Sequence, residues 1–404
     1  MKSKEPGCCS KMNSMTESRI ETGGEPLLPG AGRPVPIPTY EGDFVLDEPL
    51  LLESGRTLTG LTLHYAVYGR LNAVRDNAVL VCHALTGSAL VGSWWPEIFA
   101  PGAVLSLEQD FVICINLLGS CYGSTGPGSV NPATGEPYGP EFPLVSVRDN
   151  VRAQGKLLDS LGVRRLRLVL GGSIGGMQAM DWCIAFPERV ERAVVIGVAP
   201  LSAMGLALNH LQRQAIQHDP EWKEGRYLPQ RPPRRGLALA RQIGMISYKS
   251  TELFDERFGR NPNRNGEDPW APENPDSDPK DRPIGMMETG LLGGRFDIAG
   301  YLDYQGKRFI ERFDANSYLA IMRTMDNWDP MRGHASAQEA FGGIRARLNF
   351  IGISSDMLFP AETVRHFAHM ISSAGVQAEY REMISAHGHD AFLAEQTELV
   401  RLIQ

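Results

Sequence analysis

The chain has 404 residues, of which 42% are hydrophobic and 22% charged. That is an ordinary globular balance, long enough to bury a large core without disulfide or metal support. No run of about 18 apolar residues occurs, which excludes a membrane-spanning helix, and a net charge of −7 argues against general binding to nucleic acid or a membrane surface.

Residues 1 to about 38 are rich in Gly, Pro, Ser and Glu and lack the apolar centre of a secretory peptide, so they read as a disordered extension. Only eight of the 40 basic residues are lysines, and Lys2, Lys4 and Lys11 are three of them. This shift suggests an added segment before Met15. The six cysteines are too scattered for a disulfide framework. Cys8 and Cys9 lie in the polar tail, and Cys121 in a Gly-rich loop. Cys82, Cys114 and Cys183 sit in apolar runs as small core residues. No CxxC pair or HExxH occurs, so no metal is expected, and a reducing cytosol is the expected compartment.

Leu61 to Tyr68 alternates in polarity and predicts an antiparallel edge strand. Continuous apolar runs at Asn77–Cys82, Phe111–Ile115, Leu166–Leu170, Ala193–Val198 and Leu348–Ile353 predict strands covered on both faces. Helices are expected at Val147–Leu161, Gly176–Phe186, Ala361–Ala374 and from Ala391 to the end. This alternation predicts a mostly parallel sheet with flanking helices. Residues 201–330 break the rhythm, with helical stretches such as Gly236–Tyr248 and Asn316–Met325, and with Asn261–Pro283 expected as a mobile loop. The expected organisation is a core of residues 39–200 and 331–404, with residues 201–330 as a helical lid over the sheet's C-terminal edge.

The sharpest chemical signal is Gly171-Gly172-Ser173-Ile174-Gly175, a G-x-S-x-G with a strand before it and a helix after it. Such a turn holds the serine in strained backbone geometry and requires small neighbours, while the helix N-terminus offers free N–H groups to developing negative charge. A serine needs a base. Asp356 follows the strand Leu348–Ile353 and is the candidate acid, the alternative being a mere cap for the helix near Pro360. After the short strand Val376–Tyr380 come two competing histidines. His389 directly precedes a helix; His387 is the second choice. The second oxyanion donor should come from His83-Ala84-Leu85-Thr86-Gly87, which assigns the role to the Leu85 and Ile174 amides. His83 itself reads as a turn residue bonded to backbone.

These residues resemble the homoserine O-acetyltransferases of the α/β-hydrolase superfamily. The resemblance is carried by Cys82–Ser88, Asn116–Pro127, Val130–Gly135, Gly171–Gln178, Ala240–Gly244, Gln305–Lys307, Arg312–Leu319, Ser355-Asp356 and Gly388–Leu393, in order along the chain. It implies an α/β-hydrolase fold with a helical lid insertion, a triad of Ser173, Asp356 and His389, and binding of the amino-acid substrate by Arg241 and Asp390 with Tyr248 lining the site. A guanidinium suits the substrate carboxylate and Asp390 the ammonium. The seven-residue step from Arg241 to Tyr248 puts both on one helical face. The implied reaction is ping-pong transfer of acetyl from acetyl-CoA to L-homoserine in methionine biosynthesis, with no bound cofactor and with a homodimer formed through the insertion. Succinyl-transferring relatives carry an arginine two positions after the triad aspartate; Leu358 stands there in this chain and favours acetyl. The competing readings are an O-succinyltransferase of homoserine or serine, an esterase, and a non-catalytic binding protein, the last at odds with a complete triad.

Overall fold

The computed structural model describes residues 35–264, 268–270 and 294–404. The expected N-terminal extension, up to residue 34, and most of the expected loop Asn261–Pro283 lie outside the described residues.

The strands, in chain order, are β1 (Tyr40–Leu46), β2 (Leu50–Leu51), β3 (Thr57–Leu58), β4 (Leu61–Gly69), β5 (Ala78–Cys82), β6 (Phe111–Ile115), β7 (Leu168–Gly172), β8 (Arg192–Ile196), β9 (Arg347–Ile353) and β10 (Ala378–Met383). The helices flanking them are α1 (Val91–Trp94), α2 (Val147–Ser160) and α3 (Ile174–Ala185). Between β8 and β9 come α4 (Ala203–Gln217), α5 (Arg234–Tyr248), α6 (Thr251–Arg257), α7 (Asp297–Phe309), α8 (Ala315–Asp326) and α9 (Ala337–Phe341). The chain closes with α10 (Ala361–Ser373), α11 (Ala391–Ala394) and α12 (Gln396–Ile403).

Eight strands form one sheet in the order β1-β4-β6-β5-β7-β8-β9-β10. From β6 through β5 to β10 all neighbours run parallel, while β4 is antiparallel to both β1 and β6. The expected edge position of Leu61–Tyr68 is therefore corrected. Tyr40–Leu46 pairs along its outer side and takes the edge, which is why β4 is almost wholly buried. Alternate residues feed two cores: Leu80, Ile113 and Val169 face the side of α2, α3 and α10, whereas Val79, Val81, Val112, Cys114, Leu168 and Leu170 pack under Trp95, Phe392, Leu399 and Ile403. Two-sided burial explains the unbroken apolar runs of the central strands. The C-terminal helix expected from Ala391 onward is two helices, broken at Glu395, which adopts φ −112°, ψ 57°.

Parallel strands place their C-terminal ends along one edge, where such sheets bind ligands. The loops after β5, β7, β8, β9 and β10 all leave from that edge. The helical insertion α4–α8 reaches it through α5, whose end packs on Gly388–Asp390.

Candidate active site

Ser173 sits between β7 and α3 with φ 57° and ψ −131°, a conformation that an L-residue adopts only under constraint. The constraint is the crossing of two backbones. A Cβ on Gly175 would stand 2.2 Å from Cys82 O, and one on Gly171 2.5 Å from the carbonyl carbon of Gly175. The glycines let the elbow close onto the end of β5. The Ser173 amide donates to Ile196 O at 2.9 Å, which fixes the serine against the end of β8.

One residue on, Gly197 takes φ +57°, and a Cβ there would lie 3.3 Å from His389 Cε1 and 3.5 Å from Asp356 Oδ2. The histidine and aspartate therefore stand beside the elbow. His389 Nδ1 donates to Asp356 Oδ2 at 2.6 Å, and both side chains are buried. The other carboxylate oxygen accepts the Leu358 and Phe359 amides at 2.8 and 2.9 Å. Asp356 thus turns its own loop while α10 begins later, after Pro360. His387, the competing histidine, faces Glu395 at 3.7 Å near the surface.

The His389 ring is enclosed by Phe359, Phe392 and Tyr248, at centroid distances of 5.3, 5.6 and 6.1 Å. Burial alone would lower its pKa, but the Asp356 charge and hydrogen bond outweigh that, and the balance lies above the ordinary histidine value. Its Nε2 is buried and has no hydrogen-bond partner among the described residues. A base needs such a free nitrogen to take a proton, and catalytic contacts of this kind close when substrate enters.

Neither the Leu85 nor the Ile174 amide donates to an acceptor among the described residues. The Leu85 loop is pinned by His83, which donates from Nδ1 to Ala84 O at 2.8 Å and accepts the Leu117 amide on Nε2 at 3.1 Å. Complete burial pulls its pKa down to about 4, so it stays neutral and structural. Arg312 ties the same loop to the insertion by donating to Thr86 O at 3.0 Å and to Tyr122 Oη at 2.7 Å.

Arg241 lies 5.8 Å from the Tyr248 ring and 5.1 Å from the Phe309 ring, within the apolar reach of cation–π attraction. No carboxylate pairs with it among the described residues. The Tyr248 ring thus lies between the guanidinium and the His389 ring, whose centroid is 6.1 Å away. Asp390 Oδ2 pairs with Lys249 Nζ at 2.9 Å. Leu358 is buried, and its Cδ1 lies 3.5 Å from where a Cβ on Gly205 of α4 would stand. Sequence reasoning gave no role to Tyr122, Arg312, Lys249 or Tyr301. The first two fall inside the segments that carry the family resemblance, and Lys249 is a rare lysine directly after Tyr248.

A strained serine on a strand–helix elbow, a buried His–Asp pair from later loops and two free amides define an α/β-hydrolase. The family pattern described as the alpha/beta hydrolase fold matches residues 77–396. The chain is 48% identical over 360 residues to the homoserine O-acetyltransferase of Symbiobacterium thermophilum, covering 86% of this chain and 89% of that protein. The crystal structure of the homoserine O-acetyltransferase from Bacillus anthracis superposes with a TM-score of 0.78 at 26% identity, covering 90% of this chain and 95% of the other. The esterase E22 superposes with a TM-score of 0.76 at 24% identity over 90% and 98% of the two chains, a likeness of fold alone. The protein belongs to the homoserine O-acetyltransferase family of the α/β-hydrolase superfamily. Among the described residues no group of three His, Cys, Asp or Glu side chains could hold a metal ion, and no helix is long and apolar enough to cross a membrane.

Proposed function

We propose that this enzyme moves the acetyl group of acetyl-CoA onto the side-chain hydroxyl of L-homoserine, giving O-acetyl-L-homoserine and CoA. His389 Nε2 takes the Ser173 proton as Oγ attacks the thioester carbonyl. The oxyanion rests on the Leu85 and Ile174 amides. The C–S bond breaks, the proton passes from Nε2 to the leaving thiolate, and Ser173 keeps the acetyl group. The homoserine hydroxyl then gives its proton to Nε2 and attacks the acetyl-serine; the ester bond to Oγ breaks and Oγ recovers the proton. Asp356 holds the proton on Nδ1 and stabilises the imidazolium at each stage.

Arg241 receives the amino-acid carboxylate and Asp390 the ammonium, with Tyr248 between the guanidinium and the base. The observation that carries this reading is a guanidinium with no paired carboxylate among the described residues, set against the same Tyr248 ring that neighbours the buried His389–Asp356 pair. A simple ester hydrolase has no use for such a group. Leu358, buried under α4, leaves the acyl end without a cation, which suits acetyl over succinyl. Met204 and Leu211, seven residues apart on α4, and Leu239 and Ile246, seven apart on α5, are exposed, and each pair shares one helical face, which supports homodimerisation through the insertion. Glutamate at Leu211 and Leu239 would then yield a monomer by light scattering.

The test crosses acetyl-CoA and succinyl-CoA with homoserine, serine and water as acceptors, using purified enzyme. Transfer of acetyl to homoserine above all other pairs is expected, and preference for water would move the enzyme to the esterases.

A further inference from the structure

The turn that carries His389 is fastened to the insertion at three successive positions of the α5–α6 corner. Ser250 Oγ donates to Ala386 O. Gly388, at φ +68°, approaches so closely that a Cβ on it would stand 2.7 Å from Tyr248 O and 2.8 Å from Lys249 Cα. Lys249 Nζ pairs with Asp390 Oδ2 at 2.9 Å, with side-chain exposures of only 13% and 21%. Nothing in the acyl-transfer steps uses Lys249, yet a largely buried ion pair between the lid and the residue next to the base is costly to assemble without a role.

We propose that Lys249 is a positioning residue that neutralises Asp390, holding that carboxylate with one oxygen left for a substrate ammonium and keeping the adjacent His389 free to act as a base. The proposal rests on the reading of His389 as the base of Ser173.

The argument is one of charge. An aspartate is useful at this place only if it can meet an ammonium, and so it must be ionised. A bare carboxylate one residue from His389 would stabilise the imidazolium and leave the base occupied by a proton. His389 is faced by Asp356 from the β9–α10 loop, by Asp390 from its own turn, by Lys249 from the α5–α6 corner and by the Tyr248 ring at the end of α5. Asp356 and Asp390 both favour the protonated ring, and Lys249 opposes them. Lys249 in turn is faced by Asp390 and by the phenol of Tyr301 on α7, itself 5.0 Å from the Arg257 guanidinium. The lysine therefore lets the pocket keep an ionised aspartate while limiting its effect on the base. Its place at the C-terminal end of α5 also suits a cation, which the helix dipole favours there.

The experiment follows acylation of the full-length enzyme by p-nitrophenyl acetate, which needs neither CoA nor an amino acid, as a function of pH. The rate rises with pH as His389 loses its proton, and the midpoint of that limb reads its proton affinity. Lys249→Met should move the midpoint to higher pH by roughly half a unit to one unit, while the alkaline plateau stays within about threefold. Lys249→Arg should restore the wild-type midpoint. Asp390→Asn should move the midpoint to lower pH, and it carries the test should Lys249→Met fail to fold. An unmoved limb in both Lys249→Met and Asp390→Asn, or equal displacement in Lys249→Met and Lys249→Arg, would overturn the proposal. So would loss of the plateau in both lysine variants, which is what a purely structural role predicts. Failure of the underlying reading shows itself separately, because His389→Ala would then retain acylation by the same ester.

Discussion

Replacing Asp356 with asparagine changes one atom and, by the geometry of its neighbours, should reverse the polarity of the His389 imidazole, the base of the proposed mechanism. Oδ1 accepts two backbone amides at 2.8 and 2.9 Å, and Oδ2 accepts His389 Nδ1 at 2.6 Å. An asparagine must give its oxygen to the two amides, since its NH2 group would meet two donors head-on. The NH2 then faces Nδ1. That nitrogen can only accept, so the ring proton moves to Nε2, the nitrogen proposed to receive the Ser173 proton. Loss of the correct tautomer in such triads costs about 10⁴ in kcat, or about 5 kcal/mol of transition-state stabilisation. Shape and burial are unchanged, so the melting temperature should stay near that of the wild type. The assay is CoA thiol release from acetyl-CoA with homoserine present, paired with intact-mass detection of acetylated enzyme after rapid quenching. Both acylation and acetyl-enzyme turnover should slow. A kcat within tenfold of wild type in a well-folded Asp356→Asn protein would refute the assignment of tautomer and base, and so would an equal loss from His387→Ala.

Gly175→Ala should disrupt the elbow, because its Cβ meets Cys82 O at 2.2 Å and neither backbone can yield easily. We expect a stability loss of about 1–3 kcal/mol and a kcat loss of about a hundredfold from the disturbed oxyanion donors, and wild-type melting and turnover would contradict both. Asp181 on α3 is wholly buried, accepts Trp328 Nε1–H at 3.2 Å, and has its pKa pushed up to about 6 by burial. The folded protein therefore binds this proton more tightly than the unfolded chain, and stability is lost as pH rises from the unfolded carboxylate value through about 6. Asp181→Asn should match wild type near pH 4 and exceed it at pH 8 by about 3 kcal/mol at most; a melting-temperature difference independent of pH would dismiss this account. Leu358→Arg places a cation beside the expected acyl terminus and should improve the use of succinyl-CoA, and an unchanged donor preference in side-by-side kinetics would remove the specificity argument.

Local features of the sequence were legible in proportion to how local their physics is. The elbow around Ser173 could be read directly because its requirements, small residues between an apolar strand and a helix, all lie within a few positions. Asp356 could be placed because it follows a recognisable strand. The preference for His389 over His387 rested on its place directly before a helix and was strengthened by the family resemblance, since both lie in one polar turn and only the tertiary fold decides which faces Asp356. β1 was missed because Tyr-Glu-Gly-Asp-Phe-Val-Leu is a half-exposed edge strand with no continuous apolar run, and with it the interior position of β4 was lost. The Lys249–Asp390 pair was invisible for another reason. Each residue has a sensible solitary reading, and only the packing of the α5–α6 corner on Gly388 brings the two charges together.

An α/β-hydrolase fold cannot by itself choose between water and an amino alcohol as the acceptor. Water is always the more abundant, so selection has to come from groups that hold the competitor in reach of the acetyl-serine and gain nothing from water. Arg241 has that character. Its guanidinium lies against the Tyr248 and Phe309 rings with no carboxylate paired to it among the described residues, and it is best satisfied when a planar anion arrives with bidentate geometry. Because Tyr248 touches both Arg241 and His389, a carboxylate seated on the guanidinium would set the amino acid's distance from the base. The same helix ends in the corner that fastens the His389 turn. In the proposed mechanism one element of the insertion would thus both hold the acceptor and brace the base, and the insertion would be where a hydrolase scaffold becomes a transferase.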